Sequence, residues 1–155
     1  MTLRRISALA VSLGAAFAAT AALAADPQDV VQQIYAQPTL AFGGPGSQQV
    51  LSSDLEGALR ARAGGAPESG PVNFDYRYGA KQTEISGLEL LPQVDNNQAQ
   101  VVAVFKNFGK PESVDWTLCR MPDGGWRIAD ASSNSDSVAW DLRQILGLRA
   151  DQVRC

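Results

Sequence analysis

A chain of 155 residues with a net charge of −3 and no histidine rules out more than it specifies. Without imidazole there is no Ser-His or Cys-His nucleophile pair, and two cysteines are too few soft ligands for a zinc site, so no metal or cofactor is expected. Sixteen acids against 13 bases, with no basic cluster, argue against nucleic acid or anionic lipid as a partner.

Residues 1–24 have the order of a secretory signal: Arg4 and Arg5, an uncharged Ala- and Leu-rich run, then Ala22-Leu23-Ala24. Cleavage is expected between Ala24 and Ala25. The alternative, a retained N-terminal helix, has against it the small-residue end and the lack of a basic stop-transfer flank. Leu3-Arg4-Arg5-Ile6-Ser7 is a weak match to a twin-arginine signal, so general secretion to the periplasm or beyond is the reading. No membrane span is expected after processing. Two of the 13 bases and none of the 16 acids precede Ala25, so the mature domain, 25–155, carries −5. In an oxidising compartment Cys119 and Cys155 are expected to form a disulfide.

The mature chain opens on a helix. Asp26 can cap it, Pro27 suits its first turn, and Val30, Val31, Ile34 and Tyr35 form an apolar stripe that Pro38 ends. Residues 43–47, GGPGS, form a loop; no Lys-Ser/Thr pair follows, so it is not a nucleotide cradle. A second helix is predicted over 49–62, with Leu51, Leu55, Ala58, Leu59 and Arg62 on one face. A Gly/Pro/Ser-rich linker, 63–71, follows. The period then changes to two: Phe74, Tyr76 and Tyr78 alternate, and so in part do Ile85, Leu88 and Leu90, with Gly87 as a bulge. Three further strands are predicted at 98–106, 114–121 and 125–131, the first apolar on both faces and therefore central. Short connections make them an antiparallel meander. A closing helix is predicted over 136–147, with Asp136 as cap, Val138, Ala139, Leu142, Ile145 and Leu146 inward, and Gly147 at its end. The expected fold is α+β, with helices on one face of a curved sheet.

The turn at 121–125 can close as a two-residue Asp-Gly turn or as a three-residue Pro-Asp-Gly loop. Only the second puts Trp116, Leu118, Trp126 and Ile128 on one face. It pairs Arg120 with Trp126, Leu118 with Ile128 and Trp116 with Asp130. Asp130 then lies on the apolar face, where burial would raise its pKa, and Cys119 lies on the opposite face beside Arg127. Asp130 at a strand end followed by Ser132, Ser133 and Asn134 also reads as a turn-forming residue.

The segment Asp123-Gly124-Gly125-Trp126-Arg127-Ile128-Ala129-Asp130, with Trp140-Asp141-Leu142-Arg143-Gln144-Ile145-Leu146 after it, resembles a group of small exported bacterial proteins of unknown function. That group belongs to the nuclear-transport-factor-2-like superfamily. The helix with Tyr35 and the short helix carrying Leu51 to Leu59 also fit, so the resemblance covers most of 27–147. It implies a cone-like fold: a strongly curved antiparallel sheet packed on N-terminal helices, a short C-terminal helix, and often a pocket at the open end. Superfamily enzymes similar to ketosteroid isomerase and scytalone dehydratase use acids, tyrosines and often histidines in that pocket, and the lack of histidine departs from the dehydratase pattern. Other members are binding modules, and their sheets often pair through outer faces, which implies a homodimer.

The expected function is an exported cell-envelope binding domain without catalysis, holding a small ligand or a protein partner, with Tyr35, Phe74, Tyr76, Trp116 and Asp130 lining the site. One alternative is a protein-interaction or inhibitor module of the immunity type. Another is a pocket enzyme with Asp130 as general base and Tyr35 or Tyr76 as hydrogen-bond donor.

Overall fold

The computed structural model describes residues 26–63, 73–134 and 139–149, with Val153 and Cys155. Ala24 and Ala25, the linker beyond Ala63, Asp136 and Val138 lie outside the described residues.

Helix α1 spans Pro27–Ala36 and buries Pro27, Val30, Val31 and Ile34. Asp26 occupies the cap position, but its carboxylate makes no cap bond; its carbonyl accepts the amides of Asp29 and Val30 instead. Pro38 ends α1 and opens a one-turn helix, α2, Pro38–Ala41. After a 3-10 turn at Ser47–Gln49, the chain does not enter the helix predicted from residue 49. Leu51 forms an isolated parallel bridge with Ile128, whose N–H donates to the Val50 carbonyl at 2.7 Å and whose carbonyl accepts from the Ser52 amide at 2.8 Å; Val50 itself, at ψ −24°, is not extended. Leu51 is therefore a strand-like bridge residue, and helix α3 begins later, at Ser53–Ala63. Of the predicted face, Leu51, Leu55 and Leu59 are in the core, Ala58 is half-buried and Arg62 is exposed. The period of that face could not show that the backbone of residues 50–52 satisfies a strand margin rather than a helix.

The alternation at Phe74, Tyr76 and Tyr78 is not a strand but a tight turn. Asp75 and Ala80 exchange backbone bonds at 2.9 and 3.3 Å, and Gly79 (φ +65°) approaches Trp140 so closely that a Cβ would lie 2.8 Å from its Nε1.

The remainder is an open, five-stranded antiparallel sheet in sequence order: β1 Ile85–Asp95, β2 Gln98–Asn107, β3 Lys110–Arg120, β4 Trp126–Ser133 and β5 Trp140–Asp141. Gly87 (φ +66°) sits in the register shift between Ser86 and Glu89, the expected bulge. β2 has neighbours on both sides and buries Ala99, Val101, Ala103 and Phe105 against the helices. Val114, Trp116 and Leu118 of β3 continue this inner face, as Ile128 and Ala131 of β4 do.

The β3–β4 hairpin uses the three-residue loop, with Gly124 at φ +84° and Arg120 opposite Trp126, Cys119 opposite Arg127 and Leu118 opposite Ile128. The register then shifts, so that Thr117 faces Asp130 and Trp116 faces Ala131. This corrects the Trp116–Asp130 pairing. One extra residue in β4 moves Asp130 off the inner face, and onto the face that Thr117 shares with Cys119.

Of the predicted 136–147 helix, the described residues form one turn, α4, Leu142–Ile145, because Trp140 and Asp141 pair with β4 instead. Its cap is Asp141, whose carboxylate accepts the Gln144 amide at 2.8 Å. Gly147 (φ +76°) follows it. Cys155 returns to bond Cys119 across 36 residues of sequence. No helix among the described residues is long and apolar enough to cross a membrane.

Candidate functional site

The proposed lining residues lie in three places and do not form one site. Tyr35, Tyr76 and Trp116 meet beneath α1 with ring centroids 5.8 Å apart for Tyr35–Trp116 and 5.9 Å for Tyr76–Trp116. Tyr76 and Trp116 have no exposed surface. Their polar atoms are spent internally: the Tyr76 hydroxyl donates to the Ala41 carbonyl, the Tyr35 hydroxyl donates to the Arg77 carbonyl at 2.8 Å and accepts from Trp116 Nε1 at 3.2 Å. Burial pushes both phenols well above their ordinary pKa, so they are neutral donors. Phe74 stands apart, edge-on to Trp140 at 5.4 Å. Tyr76 and Trp116 are packed core, with Tyr35 and Phe74 packed against it, and the polar atoms of Tyr35, Tyr76 and Trp116 are all satisfied.

Asp130 is elsewhere, on the other side of the sheet, at the junction of β4 and α4. Its Oδ1 accepts the amides of Ala131 at 2.8 Å and Arg143 at 3.2 Å. Its pKa is pushed up to about 6, chiefly by burial and then by the charge of Asp141; the two amides and the Arg143 charge pull the other way. Arg143, only 2% exposed, is the residue that sequence reasoning missed. Its guanidinium donates to the Ala129 carbonyl at 3.1 Å, to the Arg149 carbonyl at 3.1 Å, and pairs with Asp54 at 2.8 Å. One fork thus ties β4, the C-terminal segment and the first turn of α3. Burial works against ionisation of Asp54, but the Ser52 hydroxyl, Arg143 and the Leu55 amide together hold its pKa below the ordinary value. Asp141-x-x-Gln144 is a capping pattern that could have located α4, and with it Arg143.

A groove opens between α1 and β1. Gln28, Gln32 and Tyr35, which follow one another along a face of α1, form one wall, and Leu88, Glu89 and Leu90 the other. Its volume of about 350 Å³ is near the small end of ligand sites. Tyr35 is the one proposed lining residue that reaches it. The adjoining margin is apolar as well as open: Leu88, Leu91 and Val94 of β1 are 40%, 47% and 54% exposed. A second groove, between Leu51 and Ser53 on one side and Met121 and Asp123 on the other, has its charged groups already paired: Arg127 with Asp123, and Glu56 with Arg60.

Among the described residues no group of three or more His, Cys, Asp or Glu side chains is placed to hold a metal ion, and no buried side-chain nitrogen or oxygen lacks a partner. No protein-family model matches the chain, and neither the curated proteins nor the solved structures give a match.

Proposed function

We propose that this protein is an exported, non-catalytic binding domain of the cell envelope, of the nuclear-transport-factor-2-like type, that takes its partner at the α1–β1 margin. The observation that carries this reading is the concentration of exposed apolar side chains on one sheet margin. Leu88, Leu91 and Val94 all belong to β1, beside the Gln28–Tyr35–Leu90 groove. The disulfide supports an oxidising compartment. The engaged hydroxyls of Tyr35 and Tyr76, and the two amides on Asp130, favour binding over chemistry at those groups. The inhibitor-type role uses the same surface and differs only in what the partner does.

Amide chemical-shift mapping tests the reading. A panel of fragment-sized compounds and short extended peptides is titrated into labelled protein. Shifts are expected to gather at residues 28–35 and 87–91. Shifts gathered at Asp130, Asp141 and Arg143, or turnover of any compound, would overturn it.

A further inference from the structure

The geometry points to a basic, apolar-flanked extended polypeptide segment as the occupant of the α1–β1 margin, an inference that rests on the binding role proposed above. Three features of β1 define what can lie there. First, it is the outermost strand at its side of the sheet, with β2 as its sheet neighbour. Asp95 and Gln98 flank a two-residue turn and so bond to each other; alternation from that pair turns the backbone groups of Leu90, Pro92 and Val94 outward. Leu90 offers an amide and a carbonyl to an added strand. Pro92 offers only a carbonyl, and the Gly87 bulge breaks the line on the other side. The margin therefore accepts a short extended segment over residues 88–91 and not a long strand.

Second, apolar side chains border that window on both faces. Leu91 faces with Val102, away from the helices, while Leu90 and Val94 face with Ala103 and Ala99. A peptide with alternating side chains meets apolar surface on either side, and its groove-side residue reaches Tyr35, Gln28 and Gln32.

Third, the charge is one-sided. α1 with its cap carries Asp26 and Asp29, β1 carries Glu89 and Asp95, and no Lys or Arg occurs in 26–59 or in 85–95. Of the bases nearby, Lys81 and Lys106 lie at the Ile85 end, and Arg77, whose carbonyl accepts the Tyr35 hydroxyl, has its guanidinium paired with Asp75. This decides between occupants. A second copy docking margin to margin would set these acids against themselves, as would an acidic peptide, whereas lysines or arginines on the incoming segment complement them.

The probes are two labelled hexapeptides, Lys-Leu-Lys-Val-Lys-Leu and Glu-Leu-Glu-Val-Glu-Leu, measured by fluorescence anisotropy and amide shift mapping on the disulfide-bonded domain. The basic peptide is expected to bind at least 10-fold more tightly, to move amides at 28–35 and 87–91, and to weaken with salt. Glu89→Lys should weaken it at least 10-fold and reverse the preference; Phe108→Ser, at the β2–β3 turn, should leave it unchanged. Equal binding of both peptides at the margin overturns the charge assignment and leaves the binding site standing. Shifts elsewhere overturn both. Sedimentation showing a wild-type dimer that Leu91→Asp dissolves assigns the margin to a second copy and overturns the peptide.

Discussion

Asp130 shows how far a single position can be read from sequence. Its burial was legible from the strand pattern. Its face was not, because the register shift beside Ala129 carries no glycine or positive φ to announce it. The consequence is measurable through pH. The carboxyl's pKa is about 6 in the folded protein against an ordinary 3.8, so the folded state holds the proton more tightly than the unfolded chain. The stability this contributes is complete below about pH 4 and is lost as pH rises through 6. Asp130→Asn keeps an oxygen for the Ala131 and Arg143 amides and has no proton to lose. Urea unfolding at pH 4 and pH 7 should show wild type losing about 1–2 kcal/mol relative to Asp130→Asn over that interval. An identical pH dependence of the two proteins would sink the assignment. Arg143 was harder still to read, since a basic residue inside an expected helix gives no sign that it is 2% exposed.

At the scale of elements, the strands were the most legible part. β3, β4 and the three-residue loop follow from side-chain patterning and turn chemistry, β2 from its continuous apolar run, and the Gly87 bulge from its glycine. The failures share a cause. Residues 50–52, 74–78 and 140–141 each have the apolar content of one element while their backbone serves another, and side-chain periodicity does not report where a backbone amide goes. The 73–80 turn also shows how such a segment is held. Gly79 packs on the Trp140 ring, whereas Gly109, with the similar φ of +75°, has nothing within 4 Å of an added Cβ. Gly109→Ala should cost the backbone strain alone, about 1 kcal/mol, and Gly79→Ala about 1–2 kcal/mol more, because Trp140 must move. Thermal unfolding of the pair, with tryptophan emission as a second signal, checks this; equal losses would mean that the ring yields freely.

The whole molecule is an open sheet whose two margins are treated differently. Among the described residues no strand pairs with the outer side of β1, while β4 beyond β3 is closed by residues 50–52, by β5 and by the Arg143 fork. The Cys119–Cys155 bond then fixes the chain's last residue to β3. Its span of 36 residues corresponds to about 3–4 kcal/mol in the chain-entropy treatment. Guanidinium unfolding of the Cys155→Ser variant should show a loss of that order, and an unchanged midpoint would show that the bond constrains nothing. The Leu51–Ile128 bridge has a further consequence, for the time course of folding. The four long strands form by neighbour-to-neighbour hairpins, whereas that bridge joins segments far apart in sequence, and such closures come late. Until it forms, a freshly collapsed chain presents Ile128 as a bare strand margin, open to the residues 50–52 of a neighbouring molecule. Refolding yield is therefore expected to fall as protein concentration rises, which a dilution series of refolding checks; a yield independent of concentration would show that the segment before α3 does not guard Ile128 in this way.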